Sequence, residues 1–130
     1  MHSGSCLCQA VCYQIATPIA AGIHCHCQQC RKAHGAAFAS YVNVRREHFV
    51  WSQGEQWLRR YQSSPGVTRT FCGQCGSTLL WLGEQRPNWL SVALATLDTP
   101  LDTMTWQHIH LDSKAPWHHW TDGLSATNAG

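Results

Sequence analysis

Apolar and polar side chains alternate along much of this chain, with the period of two residues that is typical of a β-strand. In the stretch QAVCYQI, Val11, Tyr13 and Ile15 fall on one face, and Cys12 and Gln14 on the other. Successive side chains of a strand point to opposite sides of its sheet. The pattern therefore predicts a strand with one buried and one solvent-facing side.

Similar segments recur at short intervals, rich in β-branched and aromatic residues and separated by turn-forming sequences such as SSPG and GEQRPN. The predicted strands are residues 10–15, 38–44, 57–61, 67–71, 78–82, 89–97 and 107–111. A short helix is predicted over residues 28–34, QQCRKAH. Strands of this size and spacing favour an all-β sandwich or small barrel. We predict a single domain over residues 1–120, followed by a loose tail of small and polar residues, 121–130.

Composition narrows the classes of function. Only 12% of the 130 residues are charged, eight are cysteines, and the formal net charge is +2. Counting seven of the cysteines as thiolates on two zinc ions would lower that net charge to −1. No run of lysine and arginine exceeds two residues, which argues against nucleic-acid binding. No apolar run approaches the roughly 18–20 residues of a membrane span.

The N-terminal sequence MHSGSCLC lacks the basic and apolar segments of a secretory signal. We therefore expect a cytoplasmic protein with reduced cysteines, whose close spacing indicates metal binding. The alternative is a secreted domain in which the eight cysteines form disulfides. Cys-x-Cys pairs are poorly placed to bridge to each other, which argues against that alternative.

Two cysteine pairs far apart in the sequence predict one closed metal site. Cys72 and Cys75 form the knuckle CGQC, whose flanking glycines permit a tight turn around one ion. Cys6 and Cys8 would project their sulfurs to the same side if GSCLC is extended. A zinc ion held by all four would tie the N-terminus to the knuckle and stabilise the fold. Cys12 is left over, and we expect it to be a small buried apolar residue.

The remaining cysteines, Cys25, Cys27 and Cys30 in HCHCQQCRKAHG, are one ligand short of a closed zinc site. One interpretation is a catalytic zinc whose fourth position is open to water or substrate. The other is closure by a nearby histidine. Spacing alone leaves both open.

The candidates for such a closing ligand are His24, His26 and His34. An extended start would point His26 away from the metal, because it lies between two ligating positions. A helix would bring His34, four residues after Cys30, within reach of the metal.

Four basic residues lie nearest the motifs: Arg31, Lys32, Arg69 and Lys114. Arg31 directly follows Cys30, so its cation could lie beside the open metal position and bind substrate, or it could simply be solvated. Trp117 follows a proline and could line a pocket or fill the core.

The stretch HIHLDSKAPWHHW contains four histidines, for which we predict core or surface positions rather than a third metal site. In the predicted strand His108 and His110 share one face.

The chain resembles the glutathione-dependent formaldehyde-activating enzyme family, whose domain also occurs in centromere protein V. The matching stretches occur in the family's order and spacing: GSCLCQAVCY, CHCQQCRKAHGAAFASYVNV, GVTRTFCGQCGSTLLW, ATLD and HIHLDSKAPW. They cover roughly residues 3–117. The resemblance implies an all-β fold of two sheets, a β-tent stapled by zinc, with one short helical turn.

The resemblance also implies two zinc ions per chain. The ligands of the structural zinc would be Cys6, Cys8, Cys72 and Cys75. The ligands of a labile, catalytic zinc with an open position would be Cys25, Cys27 and Cys30. Trp117 matches a family feature, which implies a place in the wall of the pocket as readily as in the core.

The implied activity joins glutathione to formaldehyde as S-hydroxymethylglutathione, and it is classed as a carbon–sulfur lyase from the reverse direction. Zinc would hold the substrate sulfur as a thiolate or polarise the aldehyde oxygen, and an electron-rich three-thiolate metal favours the first role. The expected partner is a small-molecule thiol such as glutathione, with no nucleic acid or membrane. The alternative is a non-catalytic, zinc-stabilised binding module of the same fold.

Overall fold

The computed structural model describes residues 1–119 and the backbone of residues 125–126. The strands in this part of the chain are β1 (His2–Ser5), β2 (Cys12–Ile15), β3 (Ala21–Cys25), β4 (Ala39–Arg45), β5 (Phe49–Gln53), β6 (Leu58–Ser64), β7 (Val67–Cys72), β8 (Thr78–Gly83), β9 (Trp89–Ala93), β10 (Thr105–Ile109) and β11 (Ser125–Ala126). The helix α1 spans Gln28–His34, as predicted.

The strands form two sheets, which confirms the all-β prediction. The smaller sheet has the order β1-β2-β5, and the larger has the order β11-β10-β3-β4-β9-β8-β7-β6. β10 runs parallel to both of its neighbours, and the other paired strands are antiparallel. Within the described residues, no helix is both long and apolar enough to cross a membrane.

The core lies between the two sheets, and the alternating stretch of the sequence supplies its smaller-sheet side. Val11, Tyr13 and Ile15 are fully buried, whereas Cys12 and Gln14 are only partly so, which confirms the predicted alternation. The ring of Tyr13 stacks on Phe49 of β5, with centroids 5.2 Å apart. The buried partners from the larger sheet are Val42, Val44, Leu80, Leu90 and Val92. Full burial of each such side chain stabilises the fold by about 1.5–3 kcal/mol.

The larger sheet separates this core from a second apolar cluster on its opposite face. Val42 and Val44 of β4 point into the core, while Ala39 and Tyr41, at the alternate positions of the same strand, belong to the second cluster. Helix α1 follows β3 directly and contributes Cys30 to that second cluster.

Two strands end earlier in the structure than the sequence predicted. The predicted strand 89–97 ends at Ala93, where a 3-10 turn over Leu94–Thr96 begins. The strand predicted for 107–111 ends at Ile109, because His110 adopts a left-handed conformation with φ of 57°. His108 and His110 therefore do not share a strand face, and that prediction was wrong.

Strand β3 was not predicted. Its second residue is a glycine, and glycine weakens the strand propensity of so short a segment. The structure gives Gly22 a packing role: a Cβ at this position would lie 2.6 Å from Cζ3 of Trp106 on the neighbouring β10. The tail 121–130 lies outside the described residues except at 125–126, whose backbone pairs with β10.

Candidate metal centres

Two groups of cysteine sulfurs come close enough together to hold a metal ion. The first group, the four-sulfur cluster, consists of Cys6, Cys8, Cys72 and Cys75, whose sulfurs all lie within 4.8 Å of one another. The Sγ atom of Cys8 is 3.7 Å from that of Cys6 and 3.9 Å from that of Cys72. Cys6 and Cys72 are buried in the core between the sheets, whereas Cys8 is exposed, so this cluster lies at the edge of the hydrophobic interior.

A turn brings the two N-terminal sulfurs of this cluster together, instead of the extended segment that the sequence analysis considered. Strand β1 ends at Ser5, and the N–H of Gln9 then donates to the carbonyl of Cys6 at 3.0 Å. Gln9 takes a positive φ of 65°, which closes the turn. The N–H of Val11 donates to the Cys6 sulfur at 3.3 Å, which fixes the position of that sulfur within the turn.

A second turn, between β7 and β8, supplies the other two sulfurs. The N–H of Gly76 donates to the carbonyl of Cys72 at 2.8 Å, and Gly76 has a φ of 81° that side chains rarely adopt. The N–H of Gln74 donates to the Cys72 sulfur at 3.4 Å. The two turns are joined directly, because the N–H of Leu7 donates to Oγ of Ser77 at 2.9 Å.

The second group, the three-sulfur cluster, consists of Cys25, Cys27 and Cys30, again with all sulfurs within 4.8 Å of one another. Cys25 ends β3, and Cys27 is the N-cap of α1, where its sulfur accepts from the N–H of Cys30 at 3.3 Å. The Cys27 sulfur accepts hydrogen bonds from the other two thiols, which hold its pKa well below the usual range, whereas donating such hydrogen bonds raises the pKa of Cys25. Against a lowering hydrogen bond from Cys25, the hydrogen bond to Cys27 and burial raise the pKa of Cys30. Metals bind thiolates, so Cys27 is already in the form that a metal binds, while Cys25 and Cys30 would release their protons to an ion.

Within residues 1–119, no imidazole or carboxylate joins the three sulfurs. The candidate on the helix, His34, directs Nε2 to the hydroxyl of Tyr41 at 2.8 Å. Burial, together with the nearby charge of Arg69, lowers the pKa of His34 to about 4, so this ring is neutral at physiological pH. The described residues thus arrange this cluster with three ligands, rather than closing it with a histidine.

The other two candidate histidines lie on the core-facing side of the larger sheet. Nε2 of His26 is 2.8 Å from Nδ1 of His108, and both side chains are fully buried. His24 stacks on Trp106 with ring centroids 4.2 Å apart. The predicted direction of His26, away from the cysteine ligands, agrees with this placement.

The three-sulfur cluster forms one wall of a cavity of about 560 Å³ on the outer face of the larger sheet. The other lining residues are Ile23, Tyr41, Asn43, Trp81, Arg86, Ser91, Gln107, Ile109 and His110. They come mainly from β3, β4, β8, β9 and β10, so the sheet brings together residues distant in sequence. Cys25 and Cys30 are buried in this wall, and Cys27 is the partly exposed member of the cluster.

A buried cation lies beside the three-sulfur cluster. Arg69 of β7 is only 6% exposed, and its Nη2 donates to the Sγ of Cys30 at 3.7 Å. Its Nη1 donates to the hydroxyl of Tyr41 at 3.3 Å, and Nε donates to Oγ of Ser63 at 3.1 Å. Burial raises the pKa of Tyr41, so the hydroxyl keeps its proton. Of the basic residues near the motifs, Arg69 is the one whose side chain contacts a cluster sulfur.

Arg31 and Trp117 do not line the cavity in the described structure. Arg31 is partly buried on α1, and Trp117 is 68% exposed, which excludes the role of core filler for that ring. Their part in substrate binding stays a prediction. Lys32 is exposed, and Nζ of Lys114 donates to the carbonyl of His118 at 3.0 Å.

We compared the sequence and the fold with those of known proteins. The sequence model of the family described as "Glutathione-dependent formaldehyde-activating enzyme" matches residues 1–113. A crystal structure of a Rhodobacter sphaeroides protein is similar, with a TM-score of 0.65 and 23% identity, covering 80% of this chain and 98% of the other. Comparison with curated proteins gives no significant match. Since the family model spans most of the sequence, this chain belongs to the glutathione-dependent formaldehyde-activating enzyme family.

Proposed function

We propose that the protein is a zinc-dependent carbon–sulfur lyase-type enzyme that forms and cleaves a thiol–aldehyde adduct such as S-hydroxymethylglutathione. In this proposal the four-sulfur cluster holds a structural zinc and the three-sulfur cluster holds a catalytic one. The observation that carries it is the position of Cys25, Cys27 and Cys30 in the wall of a cavity large enough for a small thiol.

The donor atoms suit this metal. Soft sulfur ligands select zinc and other thiophilic ions over magnesium and calcium, which prefer oxygen. Three protein ligands and an accessible fourth position are the usual arrangement of catalytic zinc, whereas four protein ligands are usual for structural zinc. Zinc bound at the three-sulfur cluster would stabilise the thiolate of an incoming thiol at neutral pH.

A side chain in the cavity wall can donate a hydrogen bond to the aldehyde oxygen. When the adduct forms, a carbon–sulfur bond is made, the carbonyl π bond breaks, and the thiol proton ends on the oxygen. The hydroxyl of Tyr41 lies in the cavity wall and accepts from Arg69. In the tautomer of neutral His34 that carries its proton on Nε2, the imidazole also donates to this hydroxyl oxygen, so the hydrogen of Tyr41 can be donated to the oxygen on which negative charge develops. Tyr41 is therefore our candidate donor for that oxygen.

Arg69 would act on the sulfur end through Cys30. A hydrogen bond from a cation draws electron density from the ligand sulfur. A zinc ion bound at the three-sulfur cluster would then receive less electron density from Cys30 and would hold a further thiolate more readily. Ile23, Trp81 and Ile109 form apolar parts of the wall, which limit water around the reacting atoms.

The first experiment measures zinc per chain and then titrates the same sample with glutathione and a mild chelator. We expect two zinc ions, one removed more easily, with its lability altered by glutathione. X-ray absorption should then detect a new zinc–sulfur contact, and formaldehyde consumption should depend on glutathione. A single tight zinc, or two that ignore glutathione, would favour the non-catalytic binding module instead.

A further inference from the structure

The cavity has a polar end away from the three sulfurs. Asn43 and Ser91 line it together with Arg86, and Gln107 lies between the two ends, level with Tyr41. No carboxylate lines the cavity in the described part of the chain, and Arg86 is the arginine among its lining residues. A cavity with one cation and no acid in its wall favours a ligand with negative charge at that end.

The position of Arg86 is fixed by its turn. Its N–H donates to the carbonyl of Gly83 at 3.0 Å, and its own carbonyl accepts from the N–H of Trp89 at 3.1 Å. The guanidinium carbon lies 5.0 Å from the centre of the Trp89 ring. The indole face therefore supports the cation while its N–H groups remain available for hydrogen bonding.

Arg45 also lies over the Trp89 ring, but it differs from Arg86 in having an acidic partner. The guanidinium of Arg45 lies 5.4 Å from the Trp89 centroid, but its Nε donates to Oε1 of Glu47 at 3.0 Å. Arg45 does not line the cavity, and its charge is paired. No ion pair involves Arg86 among the residues that the structure describes, so its charge is available to a ligand.

Strand register gives the separation between the two ends. Ala39 of β4 is opposite Cys25, and Asn43, four residues further along the same strand, is opposite Ser91. At the usual rise of an extended strand, these two levels are roughly 13 Å apart. A ligand that contacts both ends must therefore carry its negative group several bonds from its sulfur, as a short peptide thiol does and a two- or three-carbon thiol does not.

We propose that Arg86 binds a carboxylate of the thiol substrate, so that the site selects peptide-sized thiols with a distant carboxylate over short or cationic thiols. This proposal rests on the proposed function, because it assumes that a thiol sulfur occupies the three-sulfur end. The neighbouring amide and hydroxyl groups, on Asn43, Ser91 and Gln107, supply further hydrogen bonds to the body of such a ligand.

The test is calorimetric titration of the zinc-loaded protein with glutathione and with glutathione diethyl ester, whose carboxylates are blocked. The variants are Arg86→Gln, Arg86→Lys and the matched control Arg45→Gln, which removes the other arginine from the same indole ring. In the wild type, esterification should weaken binding about five- to tenfold, the range for a charged hydrogen bond at a partly exposed site. Arg86→Gln should lose a similar factor for glutathione and should no longer distinguish the ester.

Arg45→Gln should bind both compounds like the wild type, and Arg86→Lys should retain most of the preference because it keeps the charge. The preference should shrink at high salt. Wild-type affinity for glutathione in Arg86→Gln would overturn the role of Arg86 while leaving the proposed function intact. Failure of the zinc-loaded wild type to bind any thiol would overturn both, so the two failures are distinguishable.

Discussion

The two cysteine clusters use the same atoms in opposite surroundings. The four-sulfur cluster lies partly within the core between the sheets, joins two turns, and has four ligands. The three-sulfur cluster lies on the other face of the larger sheet, opens into a cavity, and has three. A metal surrounded by protein ligands can only stabilise, whereas one facing a cavity can also bind a substrate.

The two clusters also differ in how far apart their cysteines lie in the sequence. Cys8 and Cys72 are 64 residues apart, so a metal between them closes a long loop of the unfolded chain. The three-sulfur ligands lie between residues 25 and 30, where a metal constrains little more than one strand end and one helix start. We therefore expect the first cluster to determine folding and the second to determine activity.

The largest effect is expected from Cys72→Ser. Structural zinc contributes on the order of 10–16 kcal/mol in small zinc domains, as much as or more than the 5–15 kcal/mol that holds a typical domain folded. The variant should lose its cooperative thermal unfolding as well as metal, as measured by calorimetry and metal analysis. Cys12→Ser is the matched control, because the Cys12 sulfur lies outside both clusters and should leave folding unchanged.

A smaller effect on folding is expected from Cys27→Ser. Since this residue belongs to the local cluster, the variant should lose one zinc and its activity, while the melting temperature falls by only about 5 °C. Metal content, calorimetry and formaldehyde consumption would be measured on one preparation. Damage to folding equal to that of Cys72→Ser would abolish the distinction between the two clusters.

The next prediction concerns the cation beside the three-sulfur cluster. Arg69→Met should weaken zinc at that cluster by about 10–100-fold, as is typical for loss of a hydrogen bond to a ligand, and leave the other zinc unaffected. Arg69→Lys should fall between, because it keeps the charge without the two-pronged contact. Arg60→Met, an exposed position on β6, is the control. Chelator competition measures each affinity, and equal weakening of both zinc ions would contradict a local role.

The smallest effect is expected from His34→Gln, as a change in the pH dependence of stability. The pKa of His34 is lowered from 6.5 to about 4, so between these values the unfolded chain binds more protons than the folded protein. Stability should therefore fall as the pH falls through this window. Urea unfolding at pH 7 and pH 5 should reveal a smaller loss in the variant, and an identical loss would exclude this contribution.

The sequence predicted the parts of the molecule that depend on local spacing. The buried face of Val11, Tyr13 and Ile15 follows from periodicity alone, and the structure contains it together with the short helix predicted over 28–34. The grouping of cysteines also agrees, although the Cys6–Cys8 sulfurs meet through a turn instead of a strand. A short cysteine motif therefore predicts which sulfurs come together better than it predicts the conformation of the backbone between them.

The walls of the cavity depend on strand register, which one sequence does not specify. Asn43 is opposite Ser91, Ser91 opposite Trp81, and Trp81 opposite Arg69, a row drawn from four strands. Neither Tyr41 nor Arg86 was singled out, because each is distant in sequence from most of the residues it meets. For Arg69 a signal existed: in VTRTF it shares a strand face with Val67 and Phe71, where a charge is unusual.

The positions of the cysteines in the sequence also determine which cluster has all its cysteines first during synthesis on the ribosome. Cys25, Cys27 and Cys30 are complete as a ligand set once residue 30 has emerged, whereas Cys6 and Cys8 must wait for Cys75. At about 5–20 residues per second, the second set becomes complete roughly 2–9 s after the first. Under the proposed function, a nascent chain would offer the sulfurs of the catalytic cluster to metal before those of the structural cluster, and we expect zinc supply to act on folding only at the later closure.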